Sequence, residues 1–282
     1  MELLSTEPMP FHTVRYLNAK SGGGTVVSRL PISFGAVDGL PDGLDALICA
    51  SDLQGVVPGA GPRGESVLLG VALAEVLAEL AEDGRLPRPE RTGVLLAGDL
   101  YSAPGGDVRG ASGDVRPVWR AFAEHPFSFV VGVAGNHDRF VDGPARGRHG
   151  MAFVPFADEA GVDVLDLELC ERDGLAMGGV SWIAGNAKKG GRRAEGEQLD
   201  AVESVWGEPL DVFVLHEGPS GAPRQRGHDG VRALLSTRKR TSRTPRLVVC
   251  GHAHWESPVF EIPESRTKVL NVDARVVVLR RR

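Results

Sequence analysis

The sequence predicts an α/β fold in which two packed β-sheets are flanked by helices. Three observations carry this. The first half alternates apolar strand-like runs with helical periodicity, and the last part is rich in strand-like runs. Hydrophobic residues make up 42% of the chain against 24% charged, enough to bury a large core. No linker-like stretch interrupts the 282 residues, so one domain over 1–282 is expected, with 1–43 as an N-terminal extension packed on it.

The elements follow in order. Residues 1–43 read as irregular, punctuated by Gly22-Gly23-Gly24, Pro31, Pro41 and Gly43, with short strands at 14–17 and 25–30. The run 44–50 is a buried strand. Leu69, Leu73, Val76, Leu77 and Leu80 recur at helical spacing and predict a helix over 66–82. A strand at 93–97, a Pro/Gly loop over 103–113, a helix at 115–125 and a strand at 127–134 come next. A loop over 141–150 follows. Later strands are expected at 162–167, 176–183, 212–215, 247–250, 259–262, 269–272 and 276–279, and helices at 195–206 and 229–235.

Composition excludes several classes. A net charge of −5 argues against a protein that grips nucleic acid through bulk positive charge. The basic cluster Arg238-Lys239-Arg240, with Arg243 and Arg246, has no interleaved aromatics and reads as a solvated loop. No apolar run approaches the roughly 20 residues of a membrane span. The N-terminus lacks a basic start followed by an apolar stretch, so no signal peptide and a cytoplasmic location are expected. The three cysteines, Cys49, Cys170 and Cys250, are expected to be reduced thiols.

Five polar clusters each follow an apolar run: Asp52-Leu53-Gln54, Gly98-Asp99, Gly135-Asn136-His137-Asp138, Leu215-His216-Glu217 and Gly251-His252-Ala253-His254. Ligand sites of α/β sheets form beyond the carboxyl ends of strands, so these clusters are expected to converge. Asp, Asn and His supply oxygen and imidazole donors for metals. Taken singly, each cluster has an ordinary reading: an Asp at a strand end caps or turns, a lone His is a satisfied polar group, and Gly-Asn-His-Asp is a turn. Their joint occurrence is what points to a site.

The series Asp52-x-Gln54, Gly98-Asp99, Gly135-Asn136-His137-Asp138, His216 and Gly251-His252-x-His254 resembles the calcineurin-like metallophosphoesterase superfamily, from about residue 44 to the C-terminus. The resemblance implies a metallophosphoesterase-like β-sandwich with two divalent metal ions at the sheet ends. One ion would be held by Asp52, Gln54, Asp99 and His254. The other would be held by Asp99, Asn136, His216 and His252, with Asp99 bridging. His137 would lie near the leaving group or a phosphoryl oxygen, with Asp138 orienting its ring. The family usually has His where this chain has Gln54. That residue either binds through its carbonyl, holds a metal-bound water, or leaves the first site weak. The oxygen-rich set tilts the expected metal toward Mn²⁺, with Mg²⁺, Fe²⁺ or Zn²⁺ as alternatives.

The implied function is hydrolysis of phosphate monoesters or diesters by a metal-bridging hydroxide. Two divalent ions against the anionic Asp52 and Asp99 leave a positive site suited to a phosphate ester. The alternative is a binding or scaffold protein of this fold with impaired catalysis. The expected substrate is a phosphorylated small molecule or nucleotide-type compound, with no membrane partner and nucleic acid disfavoured. Arg139, directly after the motif, is expected to contact phosphate. Arg146, Arg148, His149, Lys188, Lys189, Arg192 and Arg193 read mostly as solvated charge, Asn186 as a further residue facing the site, and His228 as a residue of a helix start.

Overall fold

The computed structural model describes residues 1–141, 153–237 and 244–282. Two large sheets form the body of the molecule. In the ten-stranded sheet, Asp163–Val164, Phe129–Gly132, Thr92–Leu96 and Ala46–Ser51 run parallel, and Arg275–Arg281 follows antiparallel to Ala46–Ser51. Thr25–Asp38, His12–Ala19 and two short strands complete its path, with Glu2–Thr6 paired on Thr25–Asp38. In the six-stranded sheet the order is Glu168–Arg172, Leu175–Val180, Val212–Glu217, Leu247–Gly251, Thr267–Asn271 and Val259–Ile262.

Burial sorts the chain into four layers. Cys49, Leu95 and Val131 of one sheet meet Met177, Val214, Val249 and Leu270 of the other in the central core. The outer face of the larger sheet is covered by Leu69–Glu82 and Arg116–Glu124, through Leu73, Leu77, Trp119 and Phe122. Glu195–Trp206 and Asp229–Thr237 cover the outer face of the smaller sheet through Val202, Trp206, Val231 and Leu235. Continuous Val/Leu runs such as Leu247–Gly251 are buried on both faces, which is why they read as unbroken apolar segments rather than alternating ones. The two-sheet, helix-flanked architecture is therefore the one observed.

The N-terminal segment differs from expectation. Residues 1–43 are not irregular: they form three strands, one of them the 14-residue Thr25–Asp38. Leu30 and Ile32 have no solvent exposure, so this segment belongs to the core rather than lying over it. Pro31 is tolerated because the Arg275–Arg281 strand begins pairing at Ile32, one residue later, so the missing N–H is not needed on that side. The expected strand at 162–167 shortens to Asp163–Val164, because Leu167 takes a positive φ of 69°. The chain then enters an unanticipated edge strand, Glu168–Arg172. The helix Val154–Ala160 was also not anticipated. Cys49 and Cys250 are buried and Cys170 half-buried, all as free thiols. Arg146, Arg148, His149, Arg238, Lys239, Arg240 and Arg243 lie outside the described residues. Among those described, no helix is long and apolar enough to cross a membrane.

Candidate metal centre

The parallel strands Ala46–Ser51, Thr92–Leu96, Phe129–Gly132, Val212–Glu217 and Leu247–Gly251 end at one edge of the sandwich, and their following residues build the site. Asp52, Asp99 and His252 adopt positive φ values of 53°, 55° and 67°. Such backbone conformations in non-glycine residues cost energy and concentrate at functional sites. His216 sits where the pairing register with Leu247–Gly251 shifts, a bulge that re-aims its ring. Two glycines let the loops touch. A Cβ on Gly135 would lie 2.2 Å from the Asp99 Oδ1, and one on Gly251 would lie 2.3 Å from the Asp52 Oδ2.

Ligand atoms of Asp99, His216 and His252 lie within 4.8 Å of one another. The Asp99 Oδ2 is 3.4 Å from the His216 Nε2 and 3.4 Å from the Gln54 Nε2. Its Oδ1 accepts the His137 N–H at 2.8 Å. Asp52 is not in that cluster of ligand atoms; its Oδ2 accepts the Ser51 hydroxyl at 2.6 Å and the His252 N–H at 2.8 Å. The His216 Nδ1 faces the Ala97 carbonyl at 2.7 Å, and a carbonyl only accepts, so Nδ1 carries a proton and Nε2 is the nitrogen left to take either a second proton or a metal. Among the described residues six buried side-chain polar atoms have no hydrogen-bond partner, and two of them, the His216 Nε2 and the Asn136 Oδ1, lie at this centre. Both belong to expected ligands, and a buried polar atom without a hydrogen-bond partner is the exception in folded proteins.

Electrostatics shows the same need for a cation. Burial pushes the Asp52 carboxyl well above its usual range, and neighbouring Asp273 raises it further. Burial also acts on Asp99, but the adjacent His216 outweighs it and holds that carboxyl low. Burial alone would lower His216; Asp99 and Asp52 instead raise it to about 10. Burial and then the charge of His216 lower His252 to about 4. Without a metal, the buried carboxylates thus recruit a proton onto one imidazole. A divalent ion among Asp99, Asn136, His216 and His252 meets two oxygen and two nitrogen donors, a set that suits Mn²⁺, Fe²⁺ or Zn²⁺. The residues present fit such an ion.

The remaining expected residues divide. Gln54 touches the centre, but with its amide nitrogen directed at Asp99. His254 is exposed, its Nδ1 3.3 Å from the Asp273 Oδ1. His137 is half-buried and its Nδ1 meets the Ser112 Oγ at 3.1 Å. Asp138 does not orient that ring. Its buried carboxylate instead accepts the N–H groups of Asp99 (2.9 Å), Leu100 (2.8 Å) and Gly135 (2.8 Å), tying two ligand-bearing loops together. Arg139 is likewise turned inward: its Nη1 donates to the carbonyls of Asn136 (3.2 Å) and Asp138 (2.6 Å), so it clamps the loop. Asn186 is exposed and its Oδ1 accepts the Lys188 N–H at 3.0 Å, closing a turn. His228 accepts the Val231 N–H at 3.3 Å at a helix start, as expected.

Three contributors were not singled out from sequence. Ser51 and Ser112 hold Asp52 and His137. Asp273 carries the same signal as the five clusters, a polar residue directly after an apolar strand, here Thr267–Asn271 and Val272. Among the four basic residues at 188–193, Arg193 is engaged with Asp166 and stacks on Trp182 with its guanidinium carbon 4.5 Å from the ring centre. Arg192 has no hydrogen bond or ion pair to another described residue, and its charge reaches His252. Gly191 packs against the Asn136 backbone, which brings Arg192 to the site.

No curated protein matches the chain. The family described as calcineurin-like phosphoesterase matches residues 47–256, which span every cluster from Asp52 to His254. With three quarters of the sequence matched and the clusters gathered at one sheet edge, the chain belongs to the calcineurin-like phosphoesterase family.

Proposed function

We propose that this chain hydrolyses phosphate esters of small molecules or nucleotide-type compounds, using two divalent metal ions with Mn²⁺ preferred. The observation that carries the reading is the buried cluster of Asp99, His216 and His252, whose ligand atoms lie within 4.8 Å of one another, beside the Asn136 Oδ1, which has no hydrogen-bond partner. Family membership supports metal-dependent phosphoester hydrolysis in general.

When bound, the ions supply Lewis acidity toward the phosphoryl oxygens and acidify water for attack. The protein's part is to hold, orient and exchange protons. Asp99 would contribute to both sites, with His216, His252 and Asn136 at one of them. Asp138 and Arg139 fix the two loops so that Asp99 and Asn136 keep their spacing. His137, steadied by Ser112, gives a proton to the departing oxygen from its other ring nitrogen. Arg192 donates its guanidinium N–H groups to two non-bridging phosphate oxygens. A cavity of about 470 Å³ beside His254, lined by Arg224, Glu256 and Phe260 among others, is of a size that suits a small-molecule leaving group.

The test is a panel of phosphomonoesters and phosphodiesters assayed after chelation and after adding back Mn²⁺, Mg²⁺, Fe²⁺ or Zn²⁺. Turnover restored by a divalent ion is the expected result. A second reading, a phosphoesterase-fold scaffold with impaired catalysis, is favoured by one observation, the amide nitrogen of Gln54 turned toward Asp99. It predicts one bound metal or fewer per chain and no turnover across the panel.

A further inference from the structure

We infer that Asp273, which lies beyond the family-matched residues, is the positioning residue for His254 and completes the first metal site. This rests on the reading of His254 as a metal ligand. The turn that carries Asp273 is stitched to both motifs of that site. Toward the Asp52 strand, Ser51 and Asp273 form a β-bridge and the Ala274 N–H donates to the Ser51 carbonyl at 3.2 Å. Toward the His252–His254 turn, the Val272 N–H donates to the Cys250 carbonyl at 2.7 Å, and the Asn271 Nδ2 donates to the Ala253 carbonyl at 2.9 Å. The Asn271 Oδ1 in turn accepts the Asp273 N–H at 3.2 Å. Asp273 is thus fixed by backbone contacts, and its side chain is only 13% exposed where that of His254 is 57% exposed.

The carboxylate sets the tautomer that the reading requires. The Asp273 Oδ1 faces the His254 Nδ1 at 3.3 Å, so Nδ1 carries the proton and Nε2 keeps its lone pair. The Arg275 Nη2 lies beside the same ring, 3.3 Å from Nε2 and 3.5 Å from Nδ1, a contact that a metal on Nε2 would displace. A carboxylate on the far nitrogen of a ligating histidine fixes its ring and raises its basicity. That support falls on the site where Gln54 replaces an imidazole, the weaker of the two by donor type. His254 lies exposed on a short turn, and Asp273 supplies a constraint that burial supplies for His216.

The experiment is a stepwise titration of the full chain with Mn²⁺ alone. Wild type is compared with Asp273→Ala, Asp273→Asn, His254→Ala and the double variant His254→Ala/Asp273→Ala. Asn136→Ala identifies which step belongs to the second site. Asp273→Ala is expected to weaken the first site about 10–100-fold, as loss of an outer partner typically does, with the second site unchanged. Asp273→Asn, whose carbonyl still accepts the Nδ1–H, is expected to lose less. In the His254→Ala background, Asp273→Ala is expected to add nothing. A further loss in that background makes Asp273 a ligand in its own right and overturns the positioning role. Wild-type affinities in Asp273→Ala also overturn it, while leaving the phosphoesterase reading intact. A wild-type chain that binds no Mn²⁺ removes both readings. An unchanged second site reports that each variant is folded, and Asp273→Asn carries the test if Asp273→Ala does not fold.

Discussion

Replacing Asp138 separates two roles for the residue after His137. Its carboxylate is 2% exposed at the residue level and takes three backbone N–H donors, from Asp99, Leu100 and Gly135. Truncation to Ala strands all three in a buried loop, at about 1–3 kcal/mol each. Against this stands a saving, because burial and then the charge of Asp99 push the Asp138 carboxyl up to about 6, so its ionised form is itself costly. The net expected loss for Asp138→Ala is roughly 3–5 kcal/mol, at the upper end of single substitutions. Asp138→Asn keeps an acceptor oxygen but turns an NH₂ toward one of the donors, for a loss of about 1–3 kcal/mol. Because the bonds join the Asp99 and Asn136 loops, metal affinity is expected to fall with stability. Urea denaturation and Mn²⁺ titration of the same samples measure both. A wild-type denaturation midpoint and wild-type metal affinity in Asp138→Asn, together with a reduced kcat, would show that Asp138 acts on the His137 ring after all.

Four further outcomes are expected. Asp99→Asn should weaken both metal sites, whereas Asn136→Ala should weaken chiefly the second; metal content per chain distinguishes them. His137→Ala should leave metals bound and slow turnover about 10²–10⁴-fold, with a smaller loss for a nitrophenyl ester, whose leaving group needs little protonation. Gln54→His should raise first-site affinity and shift it toward Zn²⁺, read by competitive titration against Mn²⁺. The pH dependence of the chelated protein should report His216. Its folded value is raised to about 10 from about 6.5, so it contributes stability that is complete below 6.5 and lost as pH rises toward 10. Between pH 6.5 and 8 the chelated protein should lose up to about 1.4 kcal/mol per pH unit from this group. The metal-loaded protein, whose His216 is neutral at every pH in that window, should lack that slope. Parallel stability curves for the two forms would remove His216 from the metal site.

The sequence by itself determined the parts whose signal is local. Apolar runs buried on both faces marked the central strands, such as Leu247–Gly251 and Val212–Glu217, because a residue buried on either face must be apolar. The polar residues closing those runs marked the site, because a metal centre at strand ends needs oxygen and nitrogen donors just there. Pro31 and the glycines near it hid the Thr25–Asp38 strand, since whether a missing N–H matters depends on which neighbour pairs there. Only the tertiary structure decided what each polar side chain does. Sequence order placed Asp138 next to His137 and Arg139 next to both. The folded loop turns both inward onto backbone groups instead, Asp138 across 38 and 39 residues to Leu100 and Asp99. Asp273 met His254 across 19 residues of chain for the same reason. Strand-like runs and metal-binding residue types are properties of a residue and its neighbours, whereas a hydrogen bond belongs to two groups that only the packing of the sheets brings within reach.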